Sequence, residues 1–154
     1  MSTAAVNGKP ARIISIITMV AGVIFIIAGA VTWGMVSSQL SAEHITVAED
    51  AANFAGQPVT GPLTAYAQAE IINQHALEAS GGKTYAELDR EDPVREVMMN
   101  ASFLRSSLFT SVIAFGVAAF AMGVGVIFVI LGWALRSLAP AAAPAPATES
   151  VATA

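Results

Sequence analysis

Residues 108–135 read LFTSVIAFGVAAFAMGVGVIFVILGWAL, 28 residues without a charge or a proline. A helix of that length reaches roughly 40 Å at about 1.5 Å per residue, enough to cross a hydrocarbon core of about 30 Å. Residues 13–36 form a second charge-free run, 24 residues long. The expected fold is therefore an all-α membrane protein: an antiparallel two-helix transmembrane hairpin with a small helical extracytoplasmic cap.

The composition agrees. The chain is 55% hydrophobic and 12% charged, a balance that soluble domains of 154 residues seldom show. Between the two runs, ten acidic residues face four basic ones, so residues 37–107 carry a net charge of −6. No basic face is available to neutralise phosphates, which argues against a nucleic-acid partner. With no cysteine in the chain, disulfides, thiolate metal sites and thiol nucleophiles are excluded. A 71-residue segment held by helix packing alone has little core of its own. It is expected to lean on the ends of the spans or on a partner.

Residues 1–12 are expected as a cytoplasmic N-terminus. Lys9 and Arg12 precede the first apolar run and could also be the n-region of a signal peptide cleaved after Ala28-Gly29-Ala30. The run continues past that point through Val31, Trp33 and Val36, and its full length suits an uncleaved span better. The two basic residues place the N-terminus in the cytoplasm, which puts both termini inside the plasma membrane and residues 37–107 outside. Trp33 and Trp133 then fall near the outer and inner interfaces as anchors.

Both spans carry a stripe with alternating steps of three and four. In the first it is Ser15, Thr18, Gly22, Phe25, Gly29 and Thr32; in the second it is Ala114, Ala118, Ala121, Gly125, Phe128 and Gly132. Small residues let helix backbones approach closely where lipid supplies no hydrophobic drive for association. The expected seam has Phe25 opposite the Ala121 region and Phe128 opposite Thr18 and Gly22. Other small residues, Gly34, Gly116 and Gly123 among them, lie off these stripes and could serve a partner. Neither span holds an ionisable side chain, which demotes pump and transporter readings.

Beyond Val36, the spacing of Leu40, Val47, Ala51 and Phe54 predicts an amphipathic helix ending before Gly56-Gln57-Pro58. Pro62 opens a second helix at its first position, and Ser80-Gly81-Gly82 closes it. Thr84 and Glu87 have capping-box spacing. Asp92-Pro93 starts a helix that meets no breaker before residue 135 and should run on as one piece of about 60 Å. Residues 136–154 become Ala-Pro repeats, expected as a disordered cytoplasmic tail.

Signs of chemistry are sparse. His44 and His75 are the only histidines; with a glutamate such as Glu78, one turn beyond His75, they would be the minimum for a non-haem iron facial triad. Glu43, Glu49 and Glu70 are alternative carboxylates. Surface histidines on solvated helices explain the same residues. Tyr66 and Tyr85 could line a ligand pocket or bridge the cap to the membrane interface. No general acid–base pair, phosphate loop or calcium loop can be assigned, so no catalytic residue and no cofactor is named.

Residues 45–92, ITVAEDAANFAGQPVTGPLTAYAQAEIINQHALEASGGKTYAELDRED, with their flanking spans resemble small two-span membrane proteins of actinobacteria, and the Ala- and Pro-rich tail, though outside the resemblance, fits such a source. Members have often received an automatic name as an aromatic ring-opening dioxygenase. The resemblance implies the two-span architecture and carries no functional residues to this chain.

The expected function is that of a non-catalytic accessory or scaffold subunit in the membrane, contacting another membrane or envelope protein or a second copy of itself, with the lipid bilayer as its solvent. The alternatives are a ligand-sensing module and, third, an iron dioxygenase using His44 and His75.

Overall fold

A computed structural model describes residues 8–138. Their helices are α1 (Gly8–Ala42), α2 (Pro62–Ala79) and α3 (Val94–Leu138), with a short 3-10 turn at Tyr85–Glu87 and no strand. Helices α1 and α3 are both long and apolar enough to cross a membrane. At 45 residues, α3 is about 68 Å long and unbroken. It takes in residues 136–138, which were expected in the tail; residues 139–154 lie outside the described residues.

Several helix boundaries have a local cause. Pro62 occupies the start of α2, where its missing N–H would have no helical partner and its fixed φ suits the first turn. Thr64 Oγ1 accepts from the backbone N–H groups of Thr60 (3.2 Å) and Gly61 (3.3 Å). At the other end, the Gly82 N–H reaches the Leu77 carbonyl at 2.7 Å and the Gly81 N–H reaches Glu78 at 3.2 Å. These two bonds form a Schellman closure, with Gly81 at φ +65°, a conformation most L-residues avoid. Glu87 accepts from both the N–H and the hydroxyl of Thr84 at 2.7 Å, as the capping spacing predicts. Asp92 Oδ1 accepts from the Val94 N–H at 2.9 Å and starts α3.

The expected helix through residues 40–54 does not form. After α1 stops at Ala42, His44 takes φ 53° and the chain becomes extended. Val47 N–H donates to the Gln57 carbonyl (2.9 Å), Gly56 to Val47 (2.9 Å) and Val59 to Ile45 (2.8 Å). The ends of the excursion thus pair across an isolated Thr46–Pro58 bridge. Ile45, Thr46 and Val47 are β-branched and favour extended backbone over a helical turn. The spacing of Leu40 and Val47 imitated a helix because both side chains enter one core from different elements.

That core joins the cap to the long helices. Leu40, Val47, Val59, Ala65, Ala69, Leu108 and Phe115 form one buried cluster, with Trp33, Val36 and Ile45 packed at its edge. A second, smaller cluster of Ala76, Leu88, Met98 and Ala101 holds the far end of α2 on the start of α3. The middle segment therefore leans on the ends of the long helices, as its small size requires. Helix α2 runs antiparallel to the first half of α3: Tyr66 stacks edge-on against Phe109 at 5.8 Å, whereas Ala76 lies with Met98 and Ala101.

Candidate functional site

Helices α1 and α3 meet along a close seam. A Cβ placed on Gly22 would lie 2.6 Å from the Gly125 carbonyl oxygen, and one on Gly29 would lie 2.6 Å from that of Ala118. One on Gly132 would lie 2.7 Å from the Ser15 carbonyl oxygen. The pairs Ser15–Gly132, Gly22–Gly125 and Gly29–Ala118 advance by seven residues on each helix, in opposite directions. The two helices are thus antiparallel in a fixed register. A seven-residue repeat of small side chains matches the period at which two helices stay face to face in a left-handed supercoil.

The seam departs from the sequence expectation by a small rotation. Gly22, Gly29, Ala118, Gly125 and Gly132 are all buried in it. The side chains nearest the glycines across the contact are Met19, Ile26, Met122 and Val129, each one position on from Thr18, Phe25, Ala121 and Phe128. Phe25 is 43% exposed and meets Phe128 edge-on at 6.0 Å beside the seam, so neither ring fills a groove on the opposite helix. Ala121 is half-buried at the margin, and Thr32 is exposed. Ser15 is fully buried and its hydroxyl donates to the Arg12 carbonyl at 2.7 Å, which satisfies it within its own helix.

The tryptophans differ in environment. Trp33 packs edge-on against Phe115 at 4.7 Å, and Phe115 is 1% exposed. Trp133 is 66% exposed at the opposite end of the helix pair.

The histidines do not converge. His75 Nε2 lies 2.6 Å from Asp50 Oδ2, tying α2 to the 43–61 excursion. That hydrogen bond raises the His75 pKa above its usual value and lowers that of Asp50. His44 sits at the turn after α1, and Glu78 accepts from Gln74 Nε2 at 3.0 Å. Among the described residues, no group of three or more His, Asp or Glu side chains is placed to hold a metal ion. Sequence reasoning did not find the Asp50–His75 pair, because a contact across 25 positions between a loop and a helix leaves no local signal.

The cap carries an open groove of about 740 Å³ between residues 51–54 and the outer face of α2. Phe54, Leu63, Tyr66 and Ile71 give it an apolar floor, and Asn53, Glu70 and Gln74 supply polar groups. Phe54 adopts φ 59°, a conformation rare for an aromatic residue. Tyr85, by contrast, is covered by the Arg95 guanidinium 4.0 Å from its ring centroid. Arg95 also donates to the Tyr85 and Leu88 carbonyls, at 3.3 and 2.8 Å.

These features define an all-helical protein with two long apolar helices locked along a small-residue seam. Comparison with protein-family models, with curated proteins and with solved structures finds no match.

Proposed function

We propose that this chain is an integral membrane protein whose α1 and α3 both cross the bilayer, and that it acts as a non-catalytic accessory or scaffold subunit. One observation carries the membrane reading: only 17% of the most apolar 18-residue stretch of each long helix is buried. Ile17, Ile24, Val31, Ile113, Val117 and Phe120 all point away from the protein. In a soluble protein such surfaces would associate without limit, whereas lipid tails match them. Lys9 and Arg12 favour both termini in the cytoplasm and the α2 cap outside the plasma membrane.

The partner reading is supported by what the seam leaves over. Gly116 and Gly123 on α3 are seven residues apart, and a Cβ on either would meet nothing within 4 Å. On the same helix outside the apolar run, Phe103 and Leu104 are 65% and 55% exposed. A second membrane protein or a second copy of the chain would cover both regions. The test is affinity purification of the full chain from native membranes in mild detergent, with mass spectrometry of what accompanies it. A stoichiometric partner or homo-oligomer that is lost in Gly116→Leu and Gly123→Leu supports the reading. A monomer without a partner rejects it.

A ligand-sensing role is the second reading, favoured by the groove beneath Phe54. Small apolar ligands that raise the unfolding temperature of the wild type, but not of Tyr66→Ala, would favour it over the scaffold role.

A further inference from the structure

We propose that the cavity between α2, the Tyr85–Glu87 turn and α3 is a binding site for a small organic anion, a phosphate or carboxylate on a short apolar body, held by Arg105. The cavity measures about 320 Å³. Arg105 lines it with Asn73, Thr84 and Ser102, and Leu77 and Met98 make part of its apolar wall. No acidic side chain lines it.

Arg105 is the unusual member. Its Nε is shut off from solvent and has no hydrogen-bond partner, the only such side-chain atom among the described residues. A buried donor on a cation without an acceptor is costly, so native structures nearly always supply one. The only ion pair among the described residues is Asp50–His75, so no carboxylate of this acidic segment answers Arg105. Arg95 shows the contrast: its guanidinium is satisfied by two carbonyls and the Tyr85 ring. Arg105 instead has the Phe109 ring 5.7 Å away, which helps hold the guanidinium without consuming its donors.

An anionic oxygen in the cavity would accept from the Arg105 guanidinium in the fork geometry that phosphates and carboxylates share. The Asn73 amide lines the same cavity and can donate as well. The apolar wall selects a ligand with a hydrocarbon part over a fully hydrated ion. Arg105 lies three residues before the apolar run of α3, a rise of about 4.5 Å, which is headgroup depth if that run spans the membrane. The anion therefore has two possible sources, an anionic phospholipid headgroup or a free organic acid. The lipid source rests on the membrane reading above, and the free source does not.

The test uses the full chain, purified in mild detergent and also reconstituted in nanodiscs of mixed phosphatidylglycerol and phosphatidylcholine. Native mass spectrometry reads the retained lipid, and thermal unfolding reads added hexanoate or inorganic phosphate against sodium chloride at equal ionic strength. Wild type should prefer phosphatidylglycerol or be stabilised by the free anions, with binding about tenfold weaker in Arg105→Gln and partly kept in Arg105→Lys. Ala86→Phe, which fills the cavity from the exposed turn and leaves Arg105 in place, should also abolish binding and decides the matter if Arg105→Gln does not fold. Lipid preference alone identifies the headgroup source, and stabilisation by hexanoate beyond that by inorganic phosphate identifies the free one. The site is overturned if wild type binds neither class of anion, or if either Arg105→Gln or Ala86→Phe folds and binds as wild type does. A chain that fails to fractionate with membranes would reject the membrane reading while leaving the hexanoate and phosphate measurements intact.

Discussion

Gly22 and Gly125 block one another's side chains: a Cβ on the first would sit 2.6 Å from the carbonyl oxygen of the second, and a Cβ on the second 2.5 Å from that of the first. Both obstacles are backbone, so no rotamer change can relieve them. The contact is possible only because each position lacks a side chain, and it sets how closely α1 and α3 approach over the whole seam.

Gly22→Ala and Gly125→Ala should therefore each force the helices apart, at a cost of about 1–3 kcal/mol by analogy with overpacked cores. Gly34→Ala is the control. A Cβ there meets nothing within 4 Å, and replacing a helical glycine gains about 0.5–1 kcal/mol. Thermal unfolding in one detergent should order the variants with Gly34→Ala at or above wild type and the other two below it. Equal melting of all three would disprove the close seam.

Phe115 is the largest fully buried side chain among the described residues, at the point where α1, the excursion and α3 meet. Phe115→Ala should lower stability by about 3–5 kcal/mol, the usual range for removing a buried aromatic ring. Because Trp33 stacks on it at 4.7 Å, the near-ultraviolet dichroism of that indole should fall as well. Trp33→Phe and Trp133→Phe backgrounds separate the two signals; a change confined to Trp133 would contradict the contact.

The Asp50–His75 pair gives the cap a pH dependence. The bond to Asp50 raises the His75 pKa above 6.5, so its contribution is complete below that pH and is lost as pH rises through the raised value. The Asp50 pKa is lowered below 3.8, so its contribution is complete above 3.8 and is lost as pH falls through the lowered value. The pair is strongest between these limits. Both side chains are well exposed, so the effect on melting will be small and sensitive to salt. The imidazole titration followed by NMR is the direct readout: Asp50→Asn should move the His75 midpoint down, with Glu78 leaving a residual upward pull. An unchanged midpoint would mean that the pair does not form in solution.

Asp92→Ala removes the acceptor for the Val94 N–H at the start of α3. A lost N-cap costs about 1 kcal/mol, and the loss should appear as faster amide exchange over the first turn of α3. The apolar half of the helix, anchored by the seam, should keep its protection; uniform loss along the helix would show that α3 does not open locally.

Local chemistry in the sequence was enough to determine the long helices and several of their ends. The charge-free runs, the absence of a breaker between Pro93 and residue 135, Pro62 at a helix start and Gly81 at a helix end act within a few residues of themselves. The observed elements follow them. The acidic excess of the cap was equally legible, but the groove beneath Phe54 and the cavity at Arg105 were not, since each is walled by segments distant in sequence.

Only the tertiary structure decided which faces meet. Steps of three and four describe a stripe around Gly22 and Gly29 equally well whether Phe25 or Ile26 completes it, because both lie within one turn of the same glycines. The choice depends on the opposite helix, where Met122 and Val129 take the places beside Gly29 and Gly22. Likewise, Val47 and Val59 needed each other across the excursion to form a core, and no periodicity within residues 40–54 could report that. Propensity and capping are properties of a segment, whereas register is a property of two segments in contact.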